Sequence, residues 1–137
     1  MANEIYCTYY SGNLIDAYVF KAADDKVFDQ SHGGDAFETW NDLNVLNYDI
    51  PMTDQGDGHY TVDFPAVITN NTQQAYRIVI KLRVGANAAV GDTKLADGEI
   101  YWDGSQEINI GSINITNQTV TNIYEEDISS PPATVLV

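Results

Sequence analysis

Gln74-Ala75-Tyr76-Arg77-Ile78-Val79-Ile80-Lys81-Leu82-Arg83-Val84 decides the fold. Tyr76, Ile78, Ile80, Leu82 and Val84 fall on one side of an alternating chain, and Arg77, Val79, Lys81 and Arg83 on the other. That period of two belongs to a β-strand, whose successive side chains point to opposite faces. Burying such aliphatic side chains is worth ~1.5–3 kcal/mol each before chain entropy is subtracted, which places this strand at the centre of an inner sheet.

The same reading extends in both directions. Towards the amino end, Tyr60, Val62 and Phe64 alternate with His59, Thr61 and Asp63, and Pro65 closes the strand because it cannot donate to a ladder. Asn47 to Met52 reads as its partner strand, across the turn Thr53-Asp54-Gln55-Gly56-Asp57-Gly58. Glu4 to Tyr10 and Leu14 to Phe20 read as a hairpin joined by Ser11-Gly12-Asn13, with the second strand covered on much of both sides. Lys21 to Asp35 is expected to loop around one small strand at Lys26-Val27-Phe28, and Phe37, Trp40 and Val45, within Ala36 to Leu46, to anchor a short helical turn or an irregular strand. Towards the carboxyl end, Gly85 to Gly98 reads as a small-residue loop, followed by strands over Glu99 to Asp103 and Ser105 to Ile110. Short strands with regular turns and no long helical period define an all-β fold, with an immunoglobulin-like β-sandwich over residues 1–110 as the expected form.

Residues 111–137 change character. They are rich in Asn, Thr and Ile and run through Pro131-Pro132 into Ala133, Thr134, Val135, Leu136 and Val137. The prolines impose an extended path, and an apolar β-prone ending suits a strand added to a neighbour's sheet edge. The expectation is an extended C-terminal arm, or an additional edge strand.

Bulk composition bounds the function. The 137 residues carry twenty Asp and Glu against six Lys and Arg, a formal charge of −14 that repels nucleic acid and anionic lipid. Neither is expected as a partner. A single cysteine, Cys7, allows no internal disulfide. No stretch approaches the ~20 apolar residues of a membrane span, and the amino terminus has no apolar leader, so synthesis in a cytoplasm is expected.

Catalytic, cofactor and metal residues are expected to be absent. Cys7 sits at an alternating strand position that suits a structural thiol, and His32 and His59 are far apart without a metal-ligand spacing. The Asp54 to His59 turn has too few oxygens for calcium. Binding features stand out more. Arg77, Lys81 and Arg83, half of the cations, share one strand face and could meet another copy's acidic surface, or pair locally with carboxylates such as Asp63 and Glu99. Trp40 and Tyr101, with Tyr6 and Tyr10, could form a platform for sugar rings.

Three segments carry a family resemblance: Asn3 to Gly12, Tyr48 to Met52 with Gly58 to Pro65, and Gly98 to Gly104. Together they resemble small β-rich domains among structural proteins of tailed bacteriophages, over roughly residues 3–108. The resemblance implies a virion part, made in the host cytoplasm, with no catalytic or metal residue to carry over. The absence of a fibre repeat favours a capsid decoration (cement) protein or a small tail or neck component over a fibre. Its implied partners are other virion proteins, major capsid or tail proteins, met in repeated copies or as a homo-oligomer. The alternative from a different class is a carbohydrate-binding module for host adhesion.

Overall fold

A computed structural model describes residues 3–108; the expected arm, including Ala133, Thr134, Val135, Leu136 and Val137, lies outside the described residues. Nine strands make two antiparallel sheets with little helix among these residues, so the all-β expectation holds. The smaller sheet has the order β1 (Ile5–Thr8), β7 (His59–Val62), β6 (Thr53–Asp54). The larger follows β4 (Phe37–Glu38), β3 (Val27–Phe28), β2 (Ile15–Lys21), β8 (Gln74–Leu82), β9 (Thr93–Trp102), with β5 (Ile50–Pro51) also paired to β2.

The main core takes side chains from both sheets. Ile5 and Tyr60 come from the smaller one, and Ile15, Ala17, Val19, Ile78, Ile80, Ile100 and Trp102 from the larger. β8 lies between β2 and β9, with one register slip against β9, which gives the alternation of its sequence a physical purpose. Its even-numbered residues face this core. Val79, on the opposite side, joins Tyr18, Val27 and Tyr48 in a second, smaller core on the outer face. β2 is therefore buried on both sides, as its composition implied.

Three local expectations are corrected. β1 and β2 do not form a hairpin: β1 pairs with β7 and β2 with β8, so Ser11-Gly12-Asn13 carries the chain from one sheet to the other. The β6–β7 hairpin holds that crossing in place, through Asp54 accepting from Gly12 N at 3.0 Å and the Tyr60 hydroxyl donating to the Tyr10 carbonyl at 2.7 Å. Gly58 is indispensable here, because at φ +77° a Cβ would stand 2.1 Å from the Tyr9 carbonyl oxygen. Residues 47–52 are not one strand either. A single helical turn, α1 (Val45–Tyr48), precedes the two-residue β5, because Tyr48 turns inward to fill the outer core. Finally, the expected 85–98 loop ends early: Thr93 to Gly98 already belong to the ten-residue β9, as mostly exposed strand positions.

Tyr18 and Tyr76 bury their hydroxyls without a hydrogen-bond partner among the described residues. Burial pushes both phenols up, Tyr76 to about 12, with nearby carboxylates adding to the effect. In the unfolded chain these groups ionise near their ordinary value of 10, while the folded chain holds its protons. Their contribution to stability is thus full below pH 10 and drains away as pH rises towards about 12. Tyr76→Phe should flatten that alkaline loss and, by removing an unsatisfied buried hydroxyl, leave neutral-pH stability unchanged or raised by ~1 kcal/mol. Urea unfolding of the variant and its parent at pH 7 and at pH 11 checks both points; a loss above ~1 kcal/mol at pH 7 would mean that the hydroxyl has a partner after all.

Candidate functional site

The outer face of the larger sheet holds the site. Because directly opposed residues of an antiparallel pair point the same way, Tyr18 lies beside Val79, Phe20 beside Arg77, and Asp16 beside Lys81. The segment after β4 folds over this face. Trp40 stacks on Phe20 with ring centroids 6.0 Å apart and tilts against Tyr18 at 5.9 Å and Tyr48 at 4.8 Å. Hydrogen bonds fix this roof: Trp40 Nε1 donates to Asp42 at 2.6 Å, Asn41 N donates to the Tyr48 hydroxyl at 3.2 Å, and that hydroxyl donates to Glu38. Burial, then the bond to Glu38, pushes the Tyr48 phenol up.

Between roof and sheet lies a groove of about 320 Å³ lined by Tyr18, Phe20, Trp40 and the cations Arg77, Lys81 and Lys94. A β-bulge creates its charge pattern. Ile80 opposes Ala96, yet Lys81 opposes Lys94, so the register slips by one and Leu95 is the extra residue. Leu95 and Ala96 both pack against the main core, which leaves Lys94 pointing out beside Lys81. Without the slip Lys81 would face Leu95. Like charges placed directly across a ladder repel, so this arrangement costs stability unless an anion offsets it.

Local carboxylates offset only part of it. Arg77 pairs with Asp25 at 2.9 Å and Asp97 at 3.4 Å, and Lys94 pairs with Asp97 at 2.7 Å. The bond from Lys94 is the main reason the Asp97 carboxyl is held below its ordinary range. Asp16, opposite Lys81 in register, is already taken by Arg83 through two hydrogen bonds of 2.7 and 2.8 Å. Lys81 is left without a carboxylate among the described residues, its ammonium 5.5 Å from the Tyr18 ring centroid and 5.7 Å from that of Trp40. Three cations against Asp25 and Asp97 leave one net positive charge on a chain of −14. The groove can hold a flat or apolar group against Trp40 while its cations meet a carboxylate, sulfate or phosphate.

The residues singled out in the sequence are thus divided. Arg77, Lys81 and Trp40 come together. Arg83 lies just past the end of β8 and turns inward to Asp16, with Asp49 3.6 Å away, so it leaves the basic stripe. Its guanidinium is held further up by its bonds to Asp16. Tyr101 shares the outer face but sits opposite Ala75, bonded to Glu99, away from the groove lining. Tyr6 and Tyr10 are exposed beside the smaller sheet. The suggested partners Asp63 and Glu99 do not take the arginines: Asp63 accepts from Asn3 N, and the carboxylates used are Asp16, Asp25, Asp49 and Asp97. Lys94 was missed because it lay in the presumed loop, and no pattern in the sequence announces the bulge.

Elsewhere, Cys7 is half-buried against the main core, and burial pushes its thiol up, which depresses the thiolate that reactive cysteines need. His59 is exposed beside Tyr6. Asp54 spends its carboxylate on Gly12 N and Gly56 N as a turn staple, and those bonds hold its pKa down. One group of side chains among the described residues has the donor types and spacing for a metal ion: Asp29, His32 and Glu38. No helix among the described residues is long and apolar enough to cross a membrane. No protein-family model, curated protein or solved structure matches the chain.

Proposed function

We propose that this chain is a bacteriophage virion structural protein, a capsid decoration (cement) protein or a small tail or neck component, that acts by docking and not by catalysis. In this reading an immunoglobulin-like sandwich sits on the particle and its groove grips an acidic surface of a neighbour, either another copy or a capsid or tail protein. The juxtaposition of Lys81 and Lys94 beside Trp40 carries the docking part, since a strongly acidic chain that builds opposed cations needs an anion to meet them. The resemblance of residues 3–108 to phage structural domains supplies the virion part. The segment 111–137, ending in Ala133 to Val137, is assigned as a second attachment to a neighbouring chain.

Purified virions labelled with an antibody to the chain should carry it at regular positions; virions without it overturn the reading. The variant Lys81→Glu with Lys94→Glu should keep the β circular-dichroism spectrum of the parent yet enter particles at least ~10-fold less well at physiological salt. Normal incorporation of that variant would remove the groove from the account. A second reading, a carbohydrate-binding module, is favoured by the half-buried Trp40 face next to hydrogen-bonding cations. It expects a glycan-array signal that Trp40→Ala abolishes, and a blank array across a broad panel rejects it.

A further inference from the structure

We propose that Asp29, His32 and Glu38 form a binding site for a divalent transition-metal ion of the Zn²⁺ class. Asp29 follows β3 and Glu38 ends β4, so the β3–β4 ladder brings the two carboxylates near each other. The single 3-10 turn at Gln30–His32 then carries the imidazole back over them, and Gly33 at φ +75° closes it. All three ligand atoms lie within 4.8 Å of one another, with His32 Nε2 3.5 Å from Asp29 Oδ2 and 3.7 Å from Glu38 Oε1. Bonds of ~2.0–2.2 Å in a tetrahedron put neighbouring donors ~3.4 Å apart, so two of the three edges are already near that length.

The outer hydrogen bonds divide each carboxylate in the same way. Ser31 donates to Asp29 Oδ1, from its backbone N at 2.7 Å and from its hydroxyl, and leaves Oδ2 facing the cluster. Tyr48 and Asn44 donate to Glu38 Oε2 and leave Oε1 facing the same point. Outer donors of this kind orient metal ligands. The charge points the same way. The Asp29 side chain is only 2% exposed, and among the described residues the ion pairs of Asp29 and Glu38 are with His32 alone, without a lysine or arginine. A buried carboxylate beside a second one either shares a proton with it or meets a cation, and one imidazole with two carboxylates suits zinc or cobalt better than calcium. Three protein ligands with His32 open to solvent leave a fourth position for water or an external donor.

The test uses the full chain, stripped with a chelator, titrated with Zn²⁺ by calorimetry and with Co²⁺ by visible absorption. One equivalent should bind, Co²⁺ should show the intense bands of a low-coordinate site, and Zn²⁺ should raise the melting temperature. His32→Ala, at an exposed position, and the isosteric Glu38→Gln should each weaken Zn²⁺ binding by at least ~10-fold, as should the outer-donor change Tyr48→Phe. Circular dichroism of the metal-free variants verifies that they fold, and the His32 ring signals in an NMR titration report binding at this residue in the parent chain. Failure of the parent to bind one equivalent, or binding that persists at full strength in folded His32→Ala, overturns the site.

Discussion

Arg83→Ala should cost the fold ~3–5 kcal/mol, read as a fall in the urea midpoint at unchanged slope. Asp16 is completely buried, and the guanidinium of Arg83, only 15% exposed, meets both of its oxygens. Removing the arginine strands a charge in the outer face of the larger sheet, a penalty far above that of losing an exposed ion pair. Asp49 enlarges it. Its carboxyl is already pushed up by burial and by the charge of Asp16, and Arg83, with a bond from its own backbone N–H, holds it back. Without Arg83 the Asp49 carboxyl meets the charge of Asp16 with no guanidinium beside it, so its folded pKa stands further above its unfolded value. Such a group stabilises fully below the unfolded pKa and loses that contribution as pH rises through the folded one. The variant should therefore recover stability on going from pH 7 to about pH 5, and by more than the parent, whose Asp49 is held back by Arg83. Replacing both partners, Asp16→Leu with Arg83→Met, should restore most of the loss, because an apolar pair of similar volume leaves no unpaired charge. A pH-independent loss, or one below ~1 kcal/mol, would show that solvent reaches Asp16.

This ion pair also bears on the groove. Arg83 donates to the Ala86 carbonyl at 3.0 Å, and Asp92 accepts from Val84 N and Ala89 N, so the loop between β8 and β9 is fastened at both ends. Lys94 starts out from that loop. By occupying Asp16, Arg83 denies Lys81 its nearest cross-strand carboxylate. The same contact that stabilises the sheet therefore leaves a cation available for binding.

Which parts of this were legible follows from the range of the forces involved. β8 could be read because alternation is a local signal, and a strand with one face in the main core repeats it over nine residues. The break between β1 and β2 could not, since Ser11-Gly12-Asn13 has hairpin chemistry and only its bonds to Asp54 and Tyr60, more than forty residues away, send the chain across. Only the first part of β9 was hidden, because Lys94, Asp97 and Gly98 have loop-like composition and Asp97 and Gly98 are exposed. At the site, Arg77 and Lys81 were visible as a pair two turns of the pleat apart. Trp40 joined them through an irregular segment whose course is set by aromatic packing on Tyr18 and Phe20, a long-range contact without a sequence period. Asp29 and Glu38 were passed over for the same reason: a short ladder and one 3-10 turn assemble them around His32.

Trp102→Ala should be comparably damaging, with a loss of ~3–5 kcal/mol from the emptied volume. The indole is 1% exposed, its ring centroid lies 4.3 Å from that of Phe64, and Nε1 donates to the Ile68 carbonyl at 3.0 Å. Those two contacts fall on the segment that leaves the smaller sheet after β7 and enters the larger at β8. Trp102 thus fastens the third sheet-to-sheet crossing, as Tyr60 fastens the first. Trp102→Phe separates the two contributions: much of the ring packing survives, while the buried Ile68 carbonyl loses its donor, so ~1–3 kcal/mol should remain lost. The chain has two tryptophans, and Trp102→Ala leaves Trp40 as the only indole. Its emission then reports the groove alone. If the outer core of Tyr18, Val79 and Tyr48 packs independently of the main core, denaturant should move the Trp40 signal of the variant in a separate transition from the circular-dichroism signal. Coincident transitions would instead mean that β2 and β8, shared by both cores, make them one cooperative unit. The shared strands favour coincidence, because no residue of the groove floor can leave the outer core without disturbing the ladder that also holds Val19, Ile78 and Ile80 in the main one.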